Sequence, residues 1–308
     1  GRVMQLFRAV WGVGDSTARR WYAAGHRALD DVRARTDLSH QQTIGLKYFE
    51  DLQHRIPRRE VSATRDLLQV EANKVLGDML DSRRELLGSA SDAESPPVVL
   101  PVCVEVQVLA MGSYRRGAAT CGDMDFILCP PTGVNPRELL SRLVQHLCQP
   151  VGLVPKDSLP AGHKWSHALS HQNDNTEDTA SFMGVCIPPG ATRYRRIDIK
   201  VYLREHMACA LIYFTGDESF NRALRLYCQN KCGDVAASLH PSANALKLCD
   251  RHLRPVQRAA WKVGPSGQNK VHLGETLQEL WPPAPCMSER EVLTKCGLGY
   301  VPPHLRKV

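Results

Sequence analysis

The sequence has no CxxC pair, no secretory leader, and no apolar run approaching the ~20 residues a membrane-crossing helix needs. Each absence removes a class of protein. Without paired CxxC motifs a zinc ribbon is set aside: Cys228 and Cys232 come closest, but they share one expected helix and have no second pair to complete a site. Many of the eleven cysteines sit in apolar runs, as buried thiols do in a reducing compartment. With neither span nor leader, no membrane partner is expected. The chain opens on Gly1 instead of Met, so it is expected to be a piece of a longer protein whose targeting signals can lie elsewhere.

What is present is ordinary in bulk: 308 residues, 43% hydrophobic and 23% charged, enough for two or three subdomains. The net charge of +7 favours a polyanionic partner without requiring one.

The stretch around which the rest is organised runs from Met111 to Leu128, MGSYRRGAATCGDMDFIL. Its pattern predicts a strand end, a Gly-Ser turn, a short basic helix, and a second strand bearing Asp123 and Asp125. Side chains two apart on a strand leave the same face, so the two carboxylates converge while Met124, Phe126 and Leu128 pack behind. Magnesium favours one or two carboxylates plus phosphate oxygens, and the pair beside two arginines suits an ion holding a polyphosphate.

Residues 4 to 24 read as helix, GxG turn, helix. Gly12 and Gly14 permit the turn, Ser16 or Thr17 can cap the second helix, and the free N–H groups there, with Arg19 and Arg20, suit a phosphate. This is the helix-hairpin-helix pattern of sequence-independent DNA binding; from this motif alone, a hairpin that only packs is the commoner outcome. A further helix is expected from Gln41 to Gln53, and a long one from Pro57, in its first turn, to about Arg83. Residues 84–97 look like a flexible insertion, and 98–110 like a strand. Asn135 should cap a helix over Pro136–Cys148. The polar stretch 155–180 reads as a long loop; His163, His167 and His171 within it have i, i+4, i+8 spacing, but breaker-rich surroundings favour a solvated loop over a metal site.

In RYRRIDIKVYL, residues 193–203, Ile197, Ile199 and Val201 face one way and Asp198 the other. A carboxylate on a central strand needs a partner. A salt bridge to a neighbouring arginine is the plain account; alongside Asp123 and Asp125, a third metal ligand is the better one. Two helices joined at YFTGDESFNR follow, with Gly216 breaking the first and Asn221 and Arg225 four apart on the second. Short strands and loops are expected through Trp281, then a helix capped by Ser288 and closed by Gly297.

In order, GSYRRG with CGDMDFIL, RRIDIK, and YFTG with FNR resemble the X-family DNA polymerases, closest to their lambda-like members; WGVG with TARRWYAAG and QQTIGLKYFED strengthen the resemblance, which covers nearly the whole chain. It implies an α+β fold: a nucleotidyltransferase palm sheet over 58–202, an N-terminal helical DNA-binding subdomain over 1–57, and a C-terminal α/β nucleotide-selection subdomain over 203–308. It implies that Asp123, Asp125 and Asp198 hold two magnesium ions, with manganese as a substitute, that Asp198 accepts the proton of the primer 3′-OH, and that Arg196 orients Asp198. Arg58, Ser113, Arg116 and Gly122 match phosphate-side residues. Tyr213, Phe214 and Gly216 would line the sugar, Asn221 would reach the incoming base and Arg225 the template. Carbonyls of Arg8, Val10 and Val13 match a sodium or potassium site at the hairpin.

The implied partners are gapped or primer-template DNA and a dNTP, and the implied protein is a monomer acting in the nucleus, alternatively the mitochondrion. The family's lyase domain, with its Schiff-base lysine, has no counterpart in these residues, so no deoxyribose-phosphate lyase activity is expected of this chain. Arg59 replaces a common acidic residue, and Asp217 stands where a serine is usual. The segment 155–180 falls near a loop that fills the template path in template-independent relatives, but those relatives carry Gly-Trp where this chain has Tyr213-Phe214. Template-directed gap filling in repair, by base excision or end joining, is therefore the leading expectation. A template-independent terminal nucleotidyltransferase is the alternative, and a non-catalytic DNA-end-binding module the third.

Overall fold

The computed structural model describes residues 1–89, 105–159, 179–257, 278–279 and 283–306. The chain divides into two compact units, one of residues 1–110 with 118–201, the other of residues 111–117 with 202–308.

The first unit begins with helices α1 (Arg2–Arg8) and α2 (Asp15–Ala23), then α3 (Leu29–Arg33), α4 (His40–Lys47) and α5 (Phe49–Leu52). Phe7, Val10, Trp21, Val32, Leu46 and Phe49 bury against one another, with Phe7 and Trp21 edge to face at 5.6 Å. The α1–α2 turn needs Gly12: its φ is +84°, and a Cβ there would lie 2.9 Å from the Gln41 side chain. Neither Ser16 nor Thr17 caps α2, contrary to expectation; Gly14 takes that position in extended conformation.

The helix expected over 41–53 is two helices. Tyr48 sits between them outside helical geometry, its ring 4.1 Å from that of Tyr194 and its hydroxyl donating to Asp157 at 3.0 Å. Ile56–Pro57 is also not helical. It forms strand β1, paired with β3 (Thr120–Cys121), where the missing proline N–H is harmless at an edge. Helix α6 (Arg58–Ser89) starts directly after it and runs on through part of the expected insertion; residues 90–97 and 98–104 lie outside the described residues.

The sheet of this unit has the order β2 (Gln107–Ala110), β4 (Met124–Cys129), β6 (Arg195–Tyr202), β5 (Thr179–Cys186). β2 and β4 are antiparallel, β4 and β6 parallel. The expected loop over 155–180 holds a 3-10 turn at Lys156–Ser158 and the start of β5; residues 160–178, with the three histidines, lie outside the described residues. α8 (Pro136–Cys148), capped by Asn135 as expected, packs Leu139, Leu140, Leu143, Val144 and Leu147 inward, against α6 and β5. The helical part is tied to the sheet by Arg195, which donates to Glu60 at 2.9 Å and to the His54 carbonyl at 3.2 Å, and by Asp51, which accepts the Tyr194 N–H.

The second unit contains α7 (Gly112–Arg115), α9 (Met207–Thr215), α10 (Glu218–Lys231), α11 (Gly233–Leu239), the antiparallel strands β7 (Ala245–Leu248), β8 (Leu253–Gln257) and β9 (Gln278–Glu279), and α12 (Glu289–Lys295). α11 corrects the expectation of only strands and loops in this region. It is too short to show periodicity, and its buried Ala236 packs toward β7 and β8. Its neighbour α10 is capped by Asp217, whose carboxylate accepts the Phe220 N–H at 2.9 Å, so the residue in the usual serine's place caps as a serine would.

Candidate active site

Three carboxylates meet on the sheet of the first unit. Asp123 immediately precedes β4, Asp125 lies on it, and Asp198 lies on β6. Each offers an oxygen within 4.8 Å of the others. The convergence rests on buried apolar backing from Met124, Phe126, Ile197 and Ile199, and on a parallel register that pairs Asp125 with Asp198.

The electrostatics are those of a site short of positive charge. Burial, then the charges of Asp123 and Asp198, push the Asp125 carboxyl up to about 7. Burial raises Asp198 to about 6, with Arg196 pulling the other way. Arg196 Nη2 lies 3.1 Å from Asp123 and 3.3 Å from Asp198, so one guanidinium bridges two of the three acids. The Trp11 ring, from the α1–α2 turn, lies 5.6 Å from that guanidinium. Asp198 Oδ1 is buried and has no hydrogen-bond partner among the described residues. A close all-oxygen donor set, repelling itself and with one oxygen left unsatisfied, fits a hard divalent cation such as magnesium.

Elsewhere in this unit, Arg58 begins α6 and bonds the 118–119 segment through its N–H to Ala119 O at 3.2 Å and its guanidinium to Ala118 O at 3.3 Å. Gly122 follows β3; a Cβ there would come within 3.3 Å of Arg55 Nη1. The expected DNA-side glycines, Gly12 and Gly14, and the carbonyls of Arg8, Val10 and Val13 all belong to α1 or its connection to α2; Val10 O also accepts the Val13 N–H.

In the second unit, Arg116 donates to Thr215 O at 2.6 Å, and a Cβ on Gly216, where φ is +64°, would meet Arg116 Nη1 at 3.2 Å. Asn221 donates to Tyr213 O at 2.6 Å, and Arg225 lies 5.6 Å from the Tyr213 ring. Tyr213 and Phe214 rings are 4.9 Å apart. Thus Arg116, Tyr213, Phe214, Gly216, Asn221 and Arg225 gather at the end of α9, while half-buried Ser113 lies on α7.

The family described as "Fingers domain of DNA polymerase lambda" matches residues 5–53, and that described as "DNA polymerase beta palm" matches residues 97–204, which carry all three aspartates. DNA polymerase lambda of Arabidopsis thaliana is 35% identical over 230 residues, 75% of this chain and 37% of the relative; that of Rattus norvegicus is 34% identical over 269 residues, 87% of this chain and 39% of the relative. The chain belongs to the X family of DNA polymerases. It spans less than two fifths of the length of these curated relatives. As expected, the fold of this X-family chain is α+β, with lambda-type fingers and a beta-type palm.

One arrangement in this X-family chain escapes any reading of the sequence. Arg115, beside the Arg116 expected to hold phosphate, donates to both oxygens of Glu289 at 2.9 and 2.5 Å, and Arg306 donates to the same carboxylate at 2.7 Å. Burial would push the Glu289 carboxyl up, but its two arginines hold it below the usual carboxylate range. The partners are 174 residues apart in sequence, so no local spacing announces them.

Proposed function

We propose that the chain is a DNA-directed DNA polymerase that transfers a nucleotide from a dNTP to a primer 3′-OH, filling short gaps in repair. The observation that carries this is the meeting of Asp123, Asp125 and Asp198 within 4.8 Å, with Asp198 Oδ1 unsatisfied. Asp123 and Asp125 would hold two magnesium ions and Asp198 one of them. Such ions, when bound, stabilise the attacking and leaving oxygens of an in-line displacement.

The remaining chemistry is the chain's own. Asp198, whose carboxyl burial raises in the metal-free site, is the chain's base for the proton of the primer hydroxyl. Arg196 holds Asp198 in orientation through its bond to Oδ2. The phosphate roles of Arg58, Ser113, Arg116 and Gly122, the sugar roles of Tyr213, Phe214 and Gly216, the base role of Asn221 and the template role of Arg225 are part of the same proposal. So are a hairpin that grips DNA through Gly12, Gly14 and a sodium or potassium ion on the Arg8, Val10 and Val13 carbonyls, subdomain limits at 57 and 202, and a monomer. A nuclear place of action, with the mitochondrion as the alternative, follows from the repair role.

Single-nucleotide extension of a gapped primer with magnesium tests the reading. The wild-type chain should extend it, and Asp198→Ala should abolish extension while leaving DNA affinity nearly intact. Undiminished extension by the variant would remove Asp198 from the chemistry, and extension of single strands without template would replace gap filling.

A further inference from the structure

The second unit concentrates cysteines in its core: Cys209, Cys228, Cys232, Cys286 and Cys296 belong to one buried cluster. Two of them touch. Cys228, on α10, and Cys296, the residue that ends α12, have sulfurs 3.4 Å apart across 68 residues of sequence. They are 0% and 1% exposed. Cys232 is also held by the backbone, its thiol donating to the Cys296 carbonyl at 3.4 Å. Among the described residues, the side-chain group close enough to chelate one ion is the acidic triad, so thiols in van der Waals contact are set up to pair with each other and not to hold a metal.

We infer that Cys228 and Cys296 form a dithiol that a small peroxide converts to a disulfide bridging α10 and α12. Either sulfur can donate to the other across this contact, so either can be oxidised first and resolved by its neighbour. With Cys296 first, its Sγ, as thiolate, attacks one oxygen of hydrogen peroxide. The O–O bond breaks, and the departing hydroxide takes a proton to become water, leaving Cys296 as a sulfenic acid. In a second step, Cys228 Sγ attacks the sulfenic sulfur; the S–O bond breaks, and the Cys228 proton leaves with the hydroxyl as a second water. Two thiols lose two electrons together, and one peroxide gains them.

The bridge would join the helix carrying Asn221 and Arg225 to the helix carrying Glu289. With almost no exposed surface, the two sulfurs exclude a bulky disulfide such as oxidised glutathione, so the oxidant the inference requires is as small as peroxide.

The test uses the full chain, natively folded, with hydrogen peroxide alone as the oxidant. After quenching and unfolding, free thiols are alkylated and counted by intact mass. The untreated protein takes eleven labels, one per cysteine. Peroxide should remove two labels, dithiothreitol should restore both, and a non-reducing digest should yield one linked peptide pair containing Cys228 and Cys296. Cys232→Ser should keep that linkage and Cys228→Ser should lose it; because the linked peptide is mapped in the wild-type chain, the inference does not depend on either variant folding. A full set of labels after peroxide, an oxidation that dithiothreitol does not reverse, or a bridge from Cys296 to Cys232 would overturn it.

Discussion

Asp125 and Asp198 are register partners on the parallel strands β4 and β6, so the two carboxylates leave neighbouring backbones at the same level of the sheet. Like charges at one rung repel, and apolar residues on either side deny them water. The result is a pair of acids that the fold makes reluctant to ionise, raised to about 7 and about 6 respectively.

That reluctance has a sign. Both groups titrate higher in the fold than the ~3.9 of an unfolded aspartate, so the folded chain holds extra protons between about pH 4 and 7. Stability without metal should therefore fall as pH rises through that window, by several kcal/mol, and level off above it. Urea midpoints in EDTA at pH 5 and pH 8 measure this, and equal midpoints refute it. Magnesium should recover the lost stability at pH 8 and do little at pH 5, where the acids are protonated.

Arg196 bridges Asp123 and Asp198, so replacing it removes a cation that contacts both. Arg196→Gln should let the Asp198 carboxyl rise further and let its orientation loosen. Extension should drop by about 10- to 100-fold, mostly in kcat, with the acid limb of the pH profile moved to higher pH. A profile that superimposes on that of the wild type would show that Arg196 does not act on Asp198.

Local chemistry explains which features the sequence disclosed. Alternation in RRIDIK and DMDFIL was enough to put Asp125 and Asp198 on strands with apolar neighbours behind them, with Asp123 just ahead of β4, and Asn135 and Ser288 cap their helices as expected. What stayed hidden depends on partners far along the chain. Tyr48 leaves the helix for Asp157 and Tyr194, Ile56–Pro57 pairs with Thr120–Cys121, and the parallel pairing of β4 with β6 is set by the sheet as a whole. The Arg115–Glu289–Arg306 cluster is the extreme case, since a fully buried Arg306 looks in sequence like any other cation near a chain end.

Among the described residues, Glu289 is the carboxylate that both arginines contact. Glu289→Gln leaves Arg115 half-paired and Arg306, which has no exposed surface, with an uncompensated charge. Breaking a buried ion pair from one side costs about 3–5 kcal/mol, and the variant should be destabilised by about that amount in urea. A loss below about 1 kcal/mol would mean that the carboxylate is not what neutralises Arg306.

Gly45 looks unremarkable in QQTIGLKYF, yet it lies where α4 passes over the backbone of Trp11. A Cβ there would come 2.4 Å from Trp11 O and 2.9 Å from Trp11 N. Those atoms belong to main chain packed into the α1–α2 turn, and they cannot swing aside as a flexible side chain would. Gly45→Ala should therefore cost stability despite alanine's better helix propensity, by about 1–3 kcal/mol of overpacking. Because Trp11 also faces Arg196, the displaced turn should lower single-nucleotide extension as well as the unfolding midpoint. Gly77 on α6 supplies the contrast, since none of the described residues lies within 4 Å of a Cβ built there. Gly77→Ala should stabilise by up to about 1 kcal/mol. A Gly45→Ala variant as stable as the wild type, or more so, would mean that α4 does not approach Trp11 as closely as the structure places it.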